Sequence, residues 1–352
     1  MFRFLFPYRS TLAFFIVFLF AFNVCISQAQ PLVFLNWADY MDPQLIADFK
    51  ARTGIEVKEI YFDSDEKRDE LMAVNDGKGY DLILISGLSL GTYVKQGWLS
   101  PIPQPLNAKL SQIESRWWQA FSESKQYAVP YFWGTLGIAY RTDLVSEAIT
   151  SWQQLFKPSP DIKGKISMID SAREVSAMAL KSLGYSMNSH NKDEFNQALA
   201  LMKKQAPSVA TYNLVNLDKT SSLLSGKVVA AMMYSGDALM LQEHSDKIRY
   251  VLPKEGGNIW IDYLSVSAHS KRAKEAWQFI YFLNEAKQAA SLANFVYCAS
   301  PNKSAWAHLS DEFLQNPTIF PSQKSLKNSE FFSPLPARQL KKLHHNFQKI
   351  VN

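Results

Sequence analysis

The order of short apolar segments and capped helical segments after residue 30 is the feature that most constrains the fold. Apolar runs predict the first strands, which are Pro31–Asn36, Glu56–Phe62 and Asp81–Ile85. Between them, Asp42 and Pro43 begin a predicted helix that ends at Gly54. Ser64 caps a second predicted helix, and Ser89–Gln96 is a third. This β-α-β-α-β order predicts a parallel sheet with helices on both faces.

The second half of the chain repeats this alternation. Its predicted strands are Lys165–Ile169, Val228–Tyr234, Ile248–Leu252 and Ile259–Ser267. Its predicted helices are Trp152–Phe156, Ala172–Leu183, Asp193–Gln205, Lys271–Asn284, Ala286–Phe295 and a last helix from about Pro336 to Ile350. A chain of 352 residues with two such units, and with no long flexible linker between them, predicts a two-lobed α/β protein.

The two lobes are expected to be joined by strands that cross between them. The candidates for crossing are Gly134–Arg141 and Leu264–Ala268. We therefore expect an N-terminal lobe of residues 30–137 with about 265–305, and a C-terminal lobe of residues 138–264 with about 306–352. Ligands in open α/β sheets bind outside the carboxyl ends of the strands, so both lobes are expected to face one cleft.

The N-terminal segment has the layout of a secretory signal peptide. Arg3 and Arg9 precede an uncharged apolar run, Leu12–Phe22, and small residues up to Ala29 then supply a cleavage site. The alternative is an uncleaved membrane anchor, although the run is shorter than the ~20 residues that a spanning helix needs. We expect cleavage after Ala29, which removes residues 1–29 and places the mature protein in the periplasm.

Removal of this segment leaves a single cysteine in the mature chain. Cys25 lies inside the predicted signal peptide, and Cys298 is the other cysteine of the sequence. The fold must then be held by packing rather than by an internal disulfide. No neighbouring histidine in the sequence activates Cys298, so a buried and inert thiol is expected.

The charge and motif content argue against nucleic-acid binding, metal binding and catalysis. The net charge is only +5, and no dense Lys/Arg run with interleaved aromatic residues occurs. The six histidines show no H-E-x-x-H spacing, and neither a G-x-S-x-G elbow nor a P-loop is present. We expect no cofactor, no metal and no catalytic residue. A secreted enzyme on a related fold stays an alternative for which no nucleophile–base pair is evident.

Aromatic residues stand shortly before aspartates at three places near strand ends. These places are Trp37-Ala38-Asp39-Tyr40, Tyr234-Ser235-Gly236-Asp237 and Trp260-Ile261-Asp262. Glu174 lies at the start of a predicted helix, and Ser86 directly follows a predicted strand. Singly, each has an ordinary explanation: a core tryptophan, a turn or helix cap for Asp39, a helix cap for Asp237, and a favourable helix-start charge for Glu174. The three aromatic–aspartate pairs stand at equivalent places in the predicted topology. Taken together with Glu174 and Ser86, they predict a binding site.

A linear polyamine needs this combination of residues. Carboxylates pair with ammonium groups through charge-assisted hydrogen bonds. Aromatic faces attract cations, by ~0.5–2 kcal/mol each, and also cover the methylenes between the ammonium groups. Isolated ion pairs would not suffice, because removing both charges from water is costly unless each is well partnered.

The chain resembles the periplasmic spermidine/putrescine-binding proteins that serve ABC importers. The resemblance runs from about Leu32 to the last helix and rests on several short stretches. These are Leu35-Asn36-Trp37-Ala38-Asp39-Tyr40, Tyr80-Asp81-Leu82-Ile83, Val129-Pro130-Tyr131-Phe132-Trp133-Gly134, Ala172-Arg173-Glu174-Val175, Pro253-Lys254-Glu255-Gly256-Gly257 and Trp260-Ile261-Asp262. The resemblance implies a two-lobed α/β periplasmic binding protein fold of the type II kind, a hinge of crossing strands and a polyamine in the cleft.

The resemblance also implies roles for individual residues. The positions that match aromatic walls are Trp37, Tyr40, Trp260 and Tyr234, the last of which stands where the family usually has tryptophan. The positions that match polar contacts are Ser86, the ammonium-binding Glu174 and the central carboxylate Asp262. The whole predicted ligand-binding set is Trp37, Asp39, Tyr40, Ser86, Ser171, Glu174, Tyr234, Asp237, Trp260 and Asp262.

The predicted site is a hybrid of two branches of that family. Ser171 replaces an aspartate of the spermidine-binding branch, Leu88 replaces a tyrosine, and Phe332 takes the place of a glutamine. Asp39 and Asp237 instead match the putrescine-binding branch. The amine therefore stays open between spermidine, norspermidine and putrescine types.

The partners that the resemblance implies are of two kinds. One is the membrane permease of an ABC importer. The alternative is the periplasmic domain of a signalling receptor, a membrane-bound cyclic-di-GMP enzyme to which some relatives report polyamines. We expect a monomer in both cases, because transport and sensing both need an accessible cleft. A ferric-iron-binding relative is a further alternative, but it usually needs neighbouring tyrosine ligands at a strand end.

Overall fold

The protein is described by a computed structural model in which residues 30–351 are placed. The predicted signal peptide, with its cleavage site after Ala29, lies outside these described residues. Strands and helices alternate from Leu32 to Lys95, as the sequence pattern predicts, whereas several helices follow one another later in the chain. Within residues 30–351, no helix combines the length and the apolar composition that crossing a bilayer requires.

The elements of the described chain have the following bounds. The strands of residues 30–351 are β1 (Leu32–Trp37), β2 (Val57–Phe62), β3 (Leu82–Ser86), β4 (Val129–Arg141), β5 (Ile166–Ser167), β6 (Val209–Thr211), β7 (Ala230–Tyr234), β8 (Ile248–Val251) and β9 (Ile259–Val266). The α-helices of the same residues are α1 (Pro43–Thr53), α2 (Asp65–Val74), α3 (Leu90–Lys95), α4 (Ser115–Trp118), α5 (Ser124–Tyr127), α6 (Gln153–Phe156), α7 (Ala172–Ser182), α8 (Lys192–Gln205), α9 (Ser235–Gln242), α10 (Ala273–Leu283), α11 (Ala286–Val296), α12 (Lys303–Trp306), α13 (Asp311–Gln315), α14 (Gln323–Leu326) and α15 (Ala337–Val351).

The first two helices begin and end at the residues whose chemistry predicted them. The Asp42 carboxylate accepts a hydrogen bond from the Gln44 amide at 2.9 Å and so caps α1. Gly54 ends that helix with φ of 72°, a left-handed conformation that glycine adopts without steric penalty. The Ser64 hydroxyl accepts from the Lys67 amide at 3.1 Å and caps α2. Both helix predictions are therefore confirmed.

The strands form a mixed sheet rather than one parallel sheet. In the described residues, the order is β2-β1-β3-β9-β4-β7-β5-β6, and β8 also pairs with β4. The group of β1, β2 and β3 is parallel, as predicted, and so is the group of β5, β6 and β7. Strands β9 and β4 lie antiparallel between these two groups. The expectation of a parallel sheet thus holds inside each group and fails where the groups meet.

Strand β4 joins the two groups. It pairs with β9 from Val129 to Thr135 and with β7 from Leu136 to Tyr140. This exchange of partners confirms the crossing that was predicted within Gly134–Arg141. The other predicted crossing, Leu264–Ala268, is wrong, because residues 264–266 pair with β3 inside the first group.

The hydrophobic cores separate at the same point of β4. One cluster of buried residues contains β4 up to Trp133, and the next begins at Leu136. The molecule is therefore two-lobed, with each lobe built around its own part of the mixed sheet. The first cluster also contains Ile261 of β9 and Ile319, so we propose that the first lobe takes in β9 and the chain up to Ile319.

Candidate functional site

The crossing strand β4 and its partner β9 carry the centre of the candidate site. On β9, Asp262 lies opposite Ser86 of β3 on one side and opposite Phe132 of β4 on the other. Trp260 points to the same face as Asp262, because side chains alternate along a strand. Trp260 lies opposite Gly134 of β4, where a Cβ atom would overlap the indole ring. The glycine therefore allows the indole to lie directly against the crossing strand.

Tyr40 connects the first lobe to this centre. Its hydroxyl donates a hydrogen bond to Oδ2 of Asp262 at 3.2 Å. Its ring packs edge-on against Tyr131 and Phe132, with centroid distances of 5.9 and 5.7 Å. The Tyr131 hydroxyl in turn donates to the Tyr40 carbonyl at 3.2 Å. The aromatic wall predicted at Tyr40 is thus held from two sides, which fixes the hydroxyl that orients Asp262.

Two predicted site residues, Trp37 at the end of β1 and Asp39 in the turn that follows, lie less centrally. Trp37 is half-buried and packs edge-on against Phe62, at a centroid distance of 4.9 Å. Asp39 is exposed, has φ of 56° and lies in the turn before α1, whose cap is Asp42. Burial raises the pKa of Glu59, and the charge of Asp39 adds to this rise. Within the described residues, no hydrogen bond connects Asp39 to the rest of the predicted set.

The second lobe contributes a carboxylate that is held at the start of α7. The Ser171 hydroxyl accepts from the Glu174 amide at 3.3 Å and caps the helix, so Ser171 positions Glu174. The Tyr234 hydroxyl lies 2.9 and 3.0 Å from the two carboxylate oxygens of Glu174. The Tyr234 ring packs edge-on against Trp260 at 6.2 Å. Tyr234 therefore links the carboxylate of the second lobe to the indole on β9.

Asp237 is a further acidic residue on the second-lobe side. Helix α9 begins at Ser235, so Asp237 lies in its first turn and its interpretation as a helix cap is wrong. The side chain is half-buried, and within residues 30–351 no hydrogen bond reaches its carboxylate. The thiol of Cys298 is buried, and the charges of Asp237 and Asp262 act on it. Burial raises the pKa of this thiol and so keeps it protonated, as expected for an inert cysteine.

The carboxyl groups of the site resist ionisation. Burial raises the pKa of Asp262 and of Asp237 to about 7, and that of Glu174 to about 8. Hydrogen bonds from tyrosines act in the opposite direction, at Asp262 from Tyr40 and at Glu174 from Tyr234, but they do not offset burial. Because ionised carboxylates in such a place lack enough positive partners, a positive charge beside them would lower their pKa values.

Helix α2 adds site residues that the sequence reasoning missed. The charge of Asp65 contributes to the raised pKa values of both Glu174 and Asp262, after the effect of burial. The charge of Glu66 acts in the same direction on the pKa of Glu174. Arg68 acts on Asp262 in the opposite direction. The available signal was the spacing of Asp65 and Arg68 by three residues, which places both on one helix face.

Comparisons with known proteins show the family to which the chain is similar. Residues 44–321 match the family described as bacterial extracellular solute-binding protein. The chain is 32% identical over 303 residues to the spermidine/putrescine-binding periplasmic protein of Escherichia coli, covering 85% of this chain and 86% of that protein. It is 28% identical over 309 residues to the norspermidine sensor of Vibrio cholerae, covering 86% and 84% of the two chains.

A solved structure supports the same fold. The spermidine/putrescine ABC transporter substrate-binding protein of Streptococcus pneumoniae superposes with a TM-score of 0.79 and 28% sequence identity. The superposition covers 92% of this chain and 98% of that protein. The predicted fold class, a two-lobed α/β periplasmic binding protein, is thereby confirmed.

The raised pKa values predict how the stability of the ligand-free protein depends on pH. The unfolded chain loses these protons near the ordinary pKa values of 3.8 and 4.5, whereas the folded chain keeps them until about 7 to 8. The folded state therefore binds more protons between these limits, and its free energy of unfolding should fall as the pH rises, levelling off above about 8. Urea unfolding from pH 5 to about 9 measures this.

Glu174→Gln should make this decline less steep, because an amide has no proton to lose and still accepts a hydrogen bond from Tyr234. The decline due to Asp237 and Asp262 should remain. Glu70→Gln is the matched control, since the Glu70 side chain is 61% exposed on α2. An unchanged decline in Glu174→Gln would contradict the assignment of this titration to Glu174.

Proposed function

The chain belongs to the family of bacterial extracellular solute-binding proteins, and from that premise we propose that it binds a polyamine in the cleft between its lobes and delivers it to an ABC importer. The identity to spermidine/putrescine-binding relatives, over most of both chains, supports the ligand class. Those relatives are periplasmic, and we infer the same location for this protein after removal of residues 1–29.

One observation carries this proposal. Carboxyl groups that have too few positive partners lie beside aromatic rings near the paired strands β4 and β9. Asp262 on β9 and Glu174 on α7 come from different lobes, and each already has a tyrosine hydroxyl in contact. A primary ammonium group carries three donors and fits the remaining carboxylate lone pairs. A diamine or longer amine would supply the charge that these groups lack.

The aromatic residues suit the methylene part of such a ligand. The rings of Trp260 and Tyr234 pack edge to face; Tyr234 contacts Glu174, and Trp260 stands two residues before Asp262 on β9. Their π-faces attract the ammonium groups, and their apolar surface covers the connecting methylenes. We assign the wall of the site to these two rings with Tyr40 and Trp37. The charged contacts are assigned to Glu174, Asp237 and Asp262, with Ser86 and Ser171 beside them and Asp39 at the margin.

Ligand binding is proposed to stabilise the closed arrangement of the lobes. A ligand shifts such an equilibrium only by binding one arrangement more tightly. An amine that contacts Glu174 in the second lobe and Asp262 in the first gains both contacts only when the lobes are together. The family consists of binding proteins, and we propose that the ligand leaves chemically unchanged. A monomer suffices for this cycle.

Asp262→Asn tests the central carboxylate. The asparagine removes the negative charge and keeps the size, so affinity for putrescine or spermidine should fall at least about tenfold, as for loss of a charge-assisted hydrogen bond. Titration calorimetry at pH 8 measures the dissociation constants.

Asp76→Asn is the matched control, because the Asp76 side chain is 71% exposed and lies away from the crossing strands. The control should bind as the unmodified protein does. Equal affinities of Asp262→Asn and Asp76→Asn, in folded proteins, would remove Asp262 from the site.

A second candidate function is that of a sensor subunit. The 28% identity to the norspermidine sensor of Vibrio cholerae is the observation that favours it. The binding site would be the same, and the partner would be the periplasmic domain of a membrane signalling receptor. Amine-dependent capture by that receptor domain, with no capture by an importer permease, would establish the sensor role; the reverse result would exclude it.

A further inference from the structure

A buried arginine lies at the first-lobe end of the candidate site. Arg68 on α2 has a side chain only 1% exposed. Its Nη1 lies 2.6 Å from an Asp65 oxygen, and its Nη2 lies 2.8 Å from Asp69. Nη2 also donates to the Ser89 hydroxyl at 2.8 Å, and Nε donates to the Tyr93 hydroxyl at 3.1 Å. The guanidinium is thus fixed by hydrogen bonds on three of its nitrogens.

Two aromatic rings also lie near the guanidinium group of Arg68. The guanidinium carbon lies 5.5 Å from the centre of the Phe62 ring and 5.8 Å from that of Tyr93. Arginine keeps its charge in proteins, and a guanidinium held by several acceptors does not reorient easily. Arg68 is therefore a permanent positive charge at a defined place.

That place adjoins the predicted ligand contacts. Nη2 of Arg68 lies 3.4 Å from the hydroxyl oxygen of Ser86, at the carboxyl end of β3. Ser86 lies directly opposite Asp262 in the strand register. The hydroxyl that was predicted to contact a ligand thus already faces a cation of the protein itself, one strand away from the central carboxylate.

We propose that Arg68 occupies the Ser86 end of the cleft in place of a ligand ammonium group, and thereby selects a diamine over a triamine. This inference rests on the proposed function. A diamine places its two ammonium groups at the carboxylates beyond Arg68, among Asp262, Glu174 and Asp237. The third ammonium group of a spermidine-type ligand would have to approach Ser86, where the guanidinium already lies against the hydroxyl and already engages oxygens of Asp65 and Asp69.

The exposed neighbour of Arg68 on the same helix supplies a matched control. Lys67 is 49% exposed and pairs with Glu70 at 2.8 Å on the solvent side. Lys67→Met and Arg68→Met remove the same charge one residue apart. Arg68→Lys keeps the charge and loses the planar fork, so it separates the effect of charge from that of hydrogen bonding.

The experiment is titration calorimetry of putrescine and spermidine with the unmodified protein and these three variants. The unmodified protein and Lys67→Met should bind putrescine at least about tenfold more tightly than spermidine. Arg68→Met should shift the ratio of the two dissociation constants toward spermidine by about tenfold or more. Arg68→Lys should keep the preference for putrescine. Circular dichroism and thermal unfolding establish that each variant is folded.

The outcomes separate this inference from the proposed function. An unchanged ratio in folded Arg68→Met, or an equal gain for both amines, would overturn the inference while leaving polyamine binding intact. If Arg68→Met does not fold, the unmodified protein still tests the inference. Spermidine binding as tight as putrescine binding by that protein would overturn it. If no amine binds the unmodified protein, the proposed function itself fails.

Discussion

The antiparallel pairing of β4 with β9 is the interaction on which the rest of the structure depends. Strand β4 is 13 residues long, is buried over all but its last residue, and takes partners from both lobes. Because β9 lies against it, Trp260 and Asp262 are held where the lobes meet. The absence of a side chain at Gly134 lets the indole approach the strand closely. Shifting this register by one residue would turn Asp262 away from Tyr40.

The buried carboxyl groups of the site lower the stability of the ligand-free protein at neutral pH, and the same groups are proposed to bind the ligand. Carboxyl groups buried near the crossing have raised pKa values, so ionising them at neutral pH costs free energy in the ligand-free fold. A bound polycation would offset the free-energy cost of ionising these groups. Ligand binding should therefore stabilise the folded protein. At one end of this acidic region the chain already places a cation of its own, Arg68, in contact with Asp65 and Asp69.

The sequence was sufficient for elements whose ends carry a specific chemical signal. Asp42, Gly54 and Ser64 predicted helix boundaries because capping is local. Strand β4 was harder to delimit, since a fully buried run such as Val129–Arg141 shows no alternation of apolar and polar residues. The second crossing was misplaced because strand pairing is decided by distant segments, here β3.

The candidate site was predictable in part for the same reasons. Aromatic and acidic residues near strand ends indicated Tyr40, Tyr234 and Asp262, which the structure connects through hydrogen bonds and ring contacts. Asp39 fits less well, because the turn after β1 leaves it exposed. Arg68 was missed, since a charged run at a helix start is ordinarily a solvated face, and only the tertiary structure shows that this arginine is buried.

The most direct test of the central claim is thermal unfolding of ligand-free mature protein at pH 8 with putrescine or with 1,4-butanediol. Both molecules have the same four-methylene chain, and only putrescine carries ammonium groups. At ~100 times its dissociation constant, putrescine should add ~2.7 kcal/mol to the free energy of unfolding and visibly raise the melting temperature. The diol should leave the melting temperature unchanged. No shift with putrescine, or an equal shift with the diol, would contradict recognition of a cationic amine by the carboxylates of the cleft.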